Sequence, residues 1–228
     1  MLYSEEYCKG DIISLDHQNT VFNQCYPEGC DCEDETQQVP WKLADYNGDL
    51  NGGEYHIIFL DLSASWCAPC YSSIEYLDEL EAYWKERDPS VVFVTALADI
   101  GMPYSCDQWG NAGESGSPLI VSDAEEKLYS WFGDSNQQYP SFVLIDHEMR
   151  VRAKPSGILS NSNSQSCDGG DYMEGLDSDC LNSILTDLLD ECGAECSQSI
   201  CTDSSACNDG ENADCIYADN NHDCCGEC

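Results

Sequence analysis

A chain of 228 residues with 42% apolar side chains has room for one domain of ordinary size, with its own core, plus extensions. Eight Lys and Arg stand against 44 Asp and Glu, a net charge of −36 that repels nucleic acid and anionic lipid, so no nucleic-acid partner is expected. No run approaches the roughly 18 uninterrupted apolar residues of a membrane span.

The N-terminal MLYSEEYCKG has neither a basic n-region nor an apolar h-region. Seventeen cysteines nevertheless argue for an oxidising compartment, because cytosolic thiols are kept reduced. The expectation is an extracytoplasmic protein, secreted or periplasmic, whose export signal lies outside this sequence. The odd count leaves at least one thiol free or paired with another chain.

Residues 1–40 read as an irregular lead-in held by disulfides, with Cys8, Cys25, Cys30 and Cys32 among Pro, Gly, Asn and acids. WKLADYNGDLNGGEYH, residues 41–56, is turn-rich and predicts a hairpin feeding a strand. HIIFLDL (56–62) is a short apolar run typical of a strand covered on both faces. From Cys70 to about Arg87, Ile74, Leu77, Leu80 and Trp84 form one helical face, and VVFVTAL (91–97) is a second buried strand. Together they predict a βαβ unit with parallel strands.

Residues 98–117 suggest a loop with one short helix. Beyond it come a strand at PLIVS (118–122), a helix at AEEKLYSWF (124–132), a strand at SFVLID (141–146) and an antiparallel partner at RVRAK (150–154). A long polar loop with Cys167 leads to an amphipathic helix over 180–192. Residues 196–228 carry seven cysteines, no Lys or Arg and no apolar periodicity, so they cannot build a core of their own.

Two CxxC pairs occur, Cys67–Cys70 and Cys225–Cys228, and context separates them. Cys67 follows a buried strand and opens a helix, where unpaired backbone N–H groups and the helix dipole favour a thiolate. The thiolate is the form that attacks disulfides. Trp66 forms a flat wall beside the sulfur. Pro69 suits the first helical turn, where its missing N–H costs nothing. Cys70, three residues on, is placed to resolve a mixed disulfide.

With WCAPC after the strand, the βαβ unit, and Tyr139-Pro140 before SFVLID, residues 41–192 resemble the thioredoxin superfamily. The likeness is closest to the redoxin or TlpA/ResA-like branch of thiol–disulfide oxidoreductases. The resemblance implies an α/β, thioredoxin-like three-layer sandwich with Cys-rich irregular N- and C-terminal extensions. Its segments are the lead-in (1–40), the thioredoxin-like domain (41–192) and an acidic Cys-rich tail module (193–228).

It also implies that Pro140 is a cis proline facing the active disulfide and that the backbone of Tyr139 pairs with the substrate chain. Asp61, six residues before Cys67, would be a buried acid that relays a proton to Cys70. Burial in IIFLDL should raise its pKa; the alternative is a carboxylate at a solvated strand end. The expected catalytic residues are therefore Cys67, Cys70 and Asp61, and the expected substrate-contacting residues are Trp66, Pro69, Tyr139 and Pro140.

Ser73 and Glu75 stand where the TlpA-like branch often carries Glu and Pro, and Glu75 reads as a solvated helix residue. No PxxxTxxC peroxidatic loop is present. DYNGDLNGG (45–53) fails as an EF-hand, with Leu50 where Gly is needed and His56 where Glu is needed, and reads as a turn. His17, His56 and His147 are expected to be scattered and exposed.

The tail resembles Cys- and Asp/Asn-rich repeats of large secreted proteins. Asp203, Asp209, Asp214, Asp219 and Asp223 could bind calcium, with a metal-free acidic linker as the alternative. A zinc site from His222, Cys224, Cys225 and Cys228 competes with disulfides. No metal is expected at the main site, and no cofactor beyond the redox-active disulfide. The expected partners are protein thiols and disulfides plus an unidentified electron-transfer partner. The rival expectation is a non-catalytic scaffold for attachment or assembly, with Cys67–Cys70 a structural disulfide.

Overall fold

The computed structural model describes residues 7–27, 39–113, 118–133, 139–156, 173–174 and 178–196. The expectations for Cys30, Cys32, Cys167, the tail carboxylates, the tail zinc ligands and Cys225–Cys228 lie outside these residues.

The strands in chain order are β1 (Phe22–Tyr26), β2 (Val39–Trp41), β3 (Ile57–Ala64), β4 (Val91–Ala98), β5 (Leu119–Ser122), β6 (Ser141–Ile145), β7 (Val151–Ala153), β8 (Pro155–Ser156) and β9 (Met173–Glu174). The helices are α1 (Leu15–Gln18), α2 (Gly48–Asn51), α3 (Ala68–Arg87), α4 (Cys106–Gly110), α5 (Lys127–Phe132) and α6 (Ser178–Cys192). The sheet runs β2-β1-β5-β4-β3-β6-β8-β9, with β7 also on β6. β3 pairs with β4, and β4 with β5, in parallel, while β6 lies antiparallel to β3. The predicted βαβ unit is therefore β3-α3-β4.

Strand alternation sorts the two sides of the sheet. Ile57 and Phe59 of β3, Val91 and Phe93 of β4, and Phe142 and Leu144 of β6 pack against Leu80 and Trp84 of α3 and Leu181, Leu185 and Leu188 of α6. The Trp84 indole N–H donates to Asn182 Oδ1 at 2.8 Å and ties the two helices together. Ile58, Leu60, Leu62, Val94, Val121 and Val143 face the other way, toward Leu128, Trp131 and Phe132 of α5. Each of these fully buried side chains contributes about 1.5–3 kcal/mol, and the result is three layers with the sheet in the middle.

Two expectations are corrected. The segment 41–56 is not a hairpin: a 3₁₀ turn (Leu43–Tyr46) and α2 follow β2, and Asn47 caps α2 by accepting from the Asp49 N–H. Asn and Asp compete for backbone N–H groups and cap short helices as readily as they make turns. The lead-in is also not wholly irregular. Tyr7, Ile13 and Phe22 enter the core beside Trp131 and Phe132, and β1 pairs antiparallel with both β2 and β5.

Candidate active site

β3 ends at Ala64, and two turn residues, Ser65 and Trp66, lead to Cys67, the N-cap of α3. Cys67 has extended backbone (φ −76°, ψ 101°), and its Sγ accepts the Cys70 N–H at 3.2 Å. Ala68 opens the helix and Pro69 lies in its first two positions, where no donor is lost. Cys67 and Cys70 are joined as a disulfide, Cα–Cα 5.3 Å. Cys67 Sγ sits at the N-terminus of a 20-residue helix and accepts one of its orphan N–H groups, which favours its thiolate when the bond opens. Both sulfurs are well covered: Cys67 is 3% exposed and Cys70 1%.

Trp66 is 55% exposed and is held by its indole N–H, which donates to Asp99 Oδ2 at 2.7 Å. Its ring meets that of Tyr139 edge-on, centroids 5.6 Å apart. The Tyr139–Pro140 peptide is cis, as expected, and Pro140 is buried. Tyr139 also packs on Tyr129, and its hydroxyl donates to Glu126 Oε1 at 3.4 Å. Tyr139 lies against the apolar cluster that contains Cys67, Cys70 and Ile74, so the expected substrate-contacting residues gather at one end of the sheet.

Asp61 is buried, not at a solvated strand end. By parity with Phe59 it faces α3. Ser63 Oγ donates to Oδ1 at 2.8 Å and Thr95 Oγ1 to Oδ2 at 3.3 Å. Burial pushes its pKa up to about 7, against the pull of these two hydroxyls. A carboxyl poised there exchanges a proton readily at neutral pH.

Two further acids on the same side were not singled out from the sequence. Asp78 and Glu81 of α3 line a cavity with Asp61. Burial raises Asp78 to about 6. It raises Glu81 to about 7, opposed by Lys85 and aided by Asp78. Their spacing from Cys70 and Ile74 puts them near one helical stripe, a signal that was present but masked by reading helix acids as solvated. Glu75 does conform and is exposed.

A second disulfide, Cys25–Cys106, borders the same cluster and joins β1 to α4, and Cys192–Cys196 closes the turn after α6. Cys8 is a free, exposed thiol among the described residues. His17, His56 and His147 are half-buried rather than exposed; His17 stacks on Trp131 at 4.0 Å and its Nδ1 lies 2.8 Å from the Tyr7 hydroxyl. Among the described residues no group of His, Cys, Asp and Glu could hold a metal ion, and no helix is long and apolar enough to cross a membrane.

No protein-family model matches the chain, and no curated protein matches it. Solved structures do. A Neisseria meningitidis protein assigned as a thioredoxin is 15% identical, with TM-score 0.50, over 77% of this chain and 91% of its own.

The chain has the thioredoxin fold.

Two other solved structures are similar. A thioredoxin-family thiol:disulfide interchange protein of Chlorobium tepidum is 15% identical over 82% of this chain and 99% of its own, TM-score 0.49. A secreted disulfide oxidoreductase of Mycobacterium tuberculosis is 12% identical over 77% and 100%, TM-score 0.48. On this thioredoxin fold, Cys67, Cys70, Asp61, Trp66, Pro69, Tyr139 and Pro140 come from four separate stretches: β3, the turn after it, the first turn of α3, and the approach to β6.

Proposed function

We propose that this protein is an extracytoplasmic thiol–disulfide oxidoreductase that exchanges electrons with protein dithiols and disulfides through Cys67 and Cys70. The observation that carries the reading is the Cys67 Sγ at the N-cap of α3, bonded to Cys70 on the side of the sheet where Asp61 is buried.

In the reducing direction the Cys67 thiolate attacks one sulfur of a substrate disulfide, forms a mixed disulfide and expels the other sulfur as a thiolate. Cys70 S–H then gives its proton to the Asp61 carboxylate. Its sulfur attacks Cys67, the Cys67–Cys70 bond forms, and the second substrate thiolate leaves. The protein is oxidised by two electrons and the substrate reduced by two. Run backwards, the same residues oxidise a dithiol. A thiol or disulfide partner of either direction restores the starting state, and no other cofactor enters.

Trp66 and Tyr139 frame the opening, Pro69 shapes the helix start, and Pro140 sets the backbone of Tyr139 for pairing with an extended substrate. Seventeen cysteines in one chain support an oxidising compartment.

The coverage of the pair favours a second reading. Cys67 and Cys70 at 3% and 1% exposure suit a permanent disulfide in a non-catalytic scaffold. A Cys70→Ser variant separates the two. Incubated with a disulfide-bonded protein such as insulin, an oxidoreductase accumulates a mixed disulfide at Cys67 that non-reducing electrophoresis and peptide mapping detect. A scaffold traps nothing, and the oxidoreductase reading fails.

A further inference from the structure

Asp61 is sealed under α3, yet each catalytic cycle delivers a proton to it that has to reach water. The structure contains a route. Asp61, Thr95, Ile74, Asp78, Glu81 and Trp109 are among the residues around a cavity of about 20 Å³ between β3, β4 and α3, enough for one water molecule. Its titratable groups, among the described residues, are Asp61 from the sheet and Asp78 and Glu81 from the helix. β4 supplies only the Thr95 hydroxyl, which already donates to Asp61.

Asp78 is 2% exposed, and its Oδ2 has no hydrogen-bond partner. A buried carboxylate oxygen without a donor pays its desolvation uncompensated, so the position demands either a proton or a water. Gly113 makes the space: a Cβ there would lie 1.7 Å from Asp78 Oδ2. Glu81 has two aspects. It lines the cavity, and it also lines a surface groove of about 330 Å³ with Gln24, Pro27, Lys85 and Pro89. Lys85, one turn further along α3, is the cation beside this exit.

We infer that Asp78 and Glu81 form a proton path that carries the proton released by Cys70 from Asp61, through a water in this cavity, out to solvent beside Lys85. The inference rests on the oxidoreductase reading above. One proton moves per thiol–disulfide exchange: Asp61 accepts it, the water passes it to Asp78, Glu81 takes it on, and bulk water receives it. Asp78 and Glu81 are positioning residues for this transfer, since neither touches a sulfur in the site described.

The test uses the full chain and the variants Asp78→Asn and Glu81→Gln, which keep shape and remove the titrating group. The first readout is ¹³C carboxyl titration of the oxidised protein, which needs no turnover. Carboxyls that share a water titrate as a coupled pair, so Asp61 titrates in two steps in the parent chain and in one, at lower pH, in Asp78→Asn. The second is stopped-flow exchange with glutathione disulfide from pH 5 to 9. Formation of the mixed disulfide stays unchanged in both variants, while its resolution slows at least about tenfold above pH 7, within the range of general acid–base effects.

An identical Asp61 titration in parent and Asp78→Asn overturns the path, and so does unchanged resolution. Equal slowing of both steps indicates a structural role and also overturns it. If the parent chain performs no exchange, the oxidoreductase reading falls and the path with it. In every other negative outcome the parent remains active and only the path is lost.

Discussion

Two sets of buried carboxylates in this molecule differ in how they are satisfied. Asp123 and Asp146 sit just after strands, among backbone donors. Asp123 accepts the N–H groups of Leu128 and Tyr129, and Asp146 accepts those of Glu148 and Arg150 and pairs with Arg152 at 3.0 Å. Burial raises the Asp123 carboxyl as well, but backbone N–H donors pull it back down. Asp61 and Asp78 sit between sheet and helix, where Asp61 has two hydroxyl donors and Asp78 Oδ2 has none. These acids are held nearer neutrality, and their burial opposes folding. The contrast separates carboxylates tied into turns by backbone donors from carboxylates buried with few donors or none.

Substitutions sharpen that contrast, starting with the cysteine at the N-cap of α3. Cys67→Ser reduces insulin reduction by dithiothreitol to the uncatalysed background, read as turbidity, whereas Asp146→Ala leaves it near the parental rate.

Asp61→Asn makes the protein more stable at pH 8 by roughly 4 kcal/mol, because burial holds the native carboxyl at about 7 while the unfolded chain ionises near 3.8. At low pH both states hold the proton. As pH rises past 3.8 the unfolded chain ionises first, while the native state keeps its proton until about 7. Parental stability therefore falls across that window and stays low above it. Urea melts show the gain at pH 8 and none near pH 3.

Asp146→Ala does the reverse. It strands two backbone donors and takes one of the two carboxylate partners of Arg152, which keeps Glu191, and lowers stability by about 2 kcal/mol at pH 7, again read by urea melts. Trp66→Phe keeps a ring but loses the bond to Asp99, and it slows exchange only about threefold, the weight of one net hydrogen bond.

The central β3-α3-β4-β6 frame was legible because a buried parallel strand leaves an unbroken apolar run and α3 leaves a 3-4 spacing. Cys67, Cys70 and Pro140 were legible because their types are rare in those contexts. Asp61 was legible because an acid inside IIFLDL has no cheap explanation. Asp78 was not: an acid in a polar-rich helix is ordinarily solvated, and its burial follows from Gly113, 35 positions away. β1 was missed because its partners, β2 and β5, are distant in sequence and FNQCY carries no apolar alternation. The Asn-rich stretch before β3 misled for a local reason, since turn residues and helix caps use the same side chains.

The account depends most on reversibility at Cys67–Cys70. The decisive measurement equilibrates the protein across thiol/disulfide buffers, traps it with acid, alkylates it and reads each cysteine by peptide mass. The account predicts that this pair switches reversibly, with a midpoint between about −270 and −120 mV, while Cys25–Cys106 and Cys192–Cys196 remain oxidised. Reduction of Cys67–Cys70 only together with those two, as the fold collapses, would contradict it and leave the pair a structural bond.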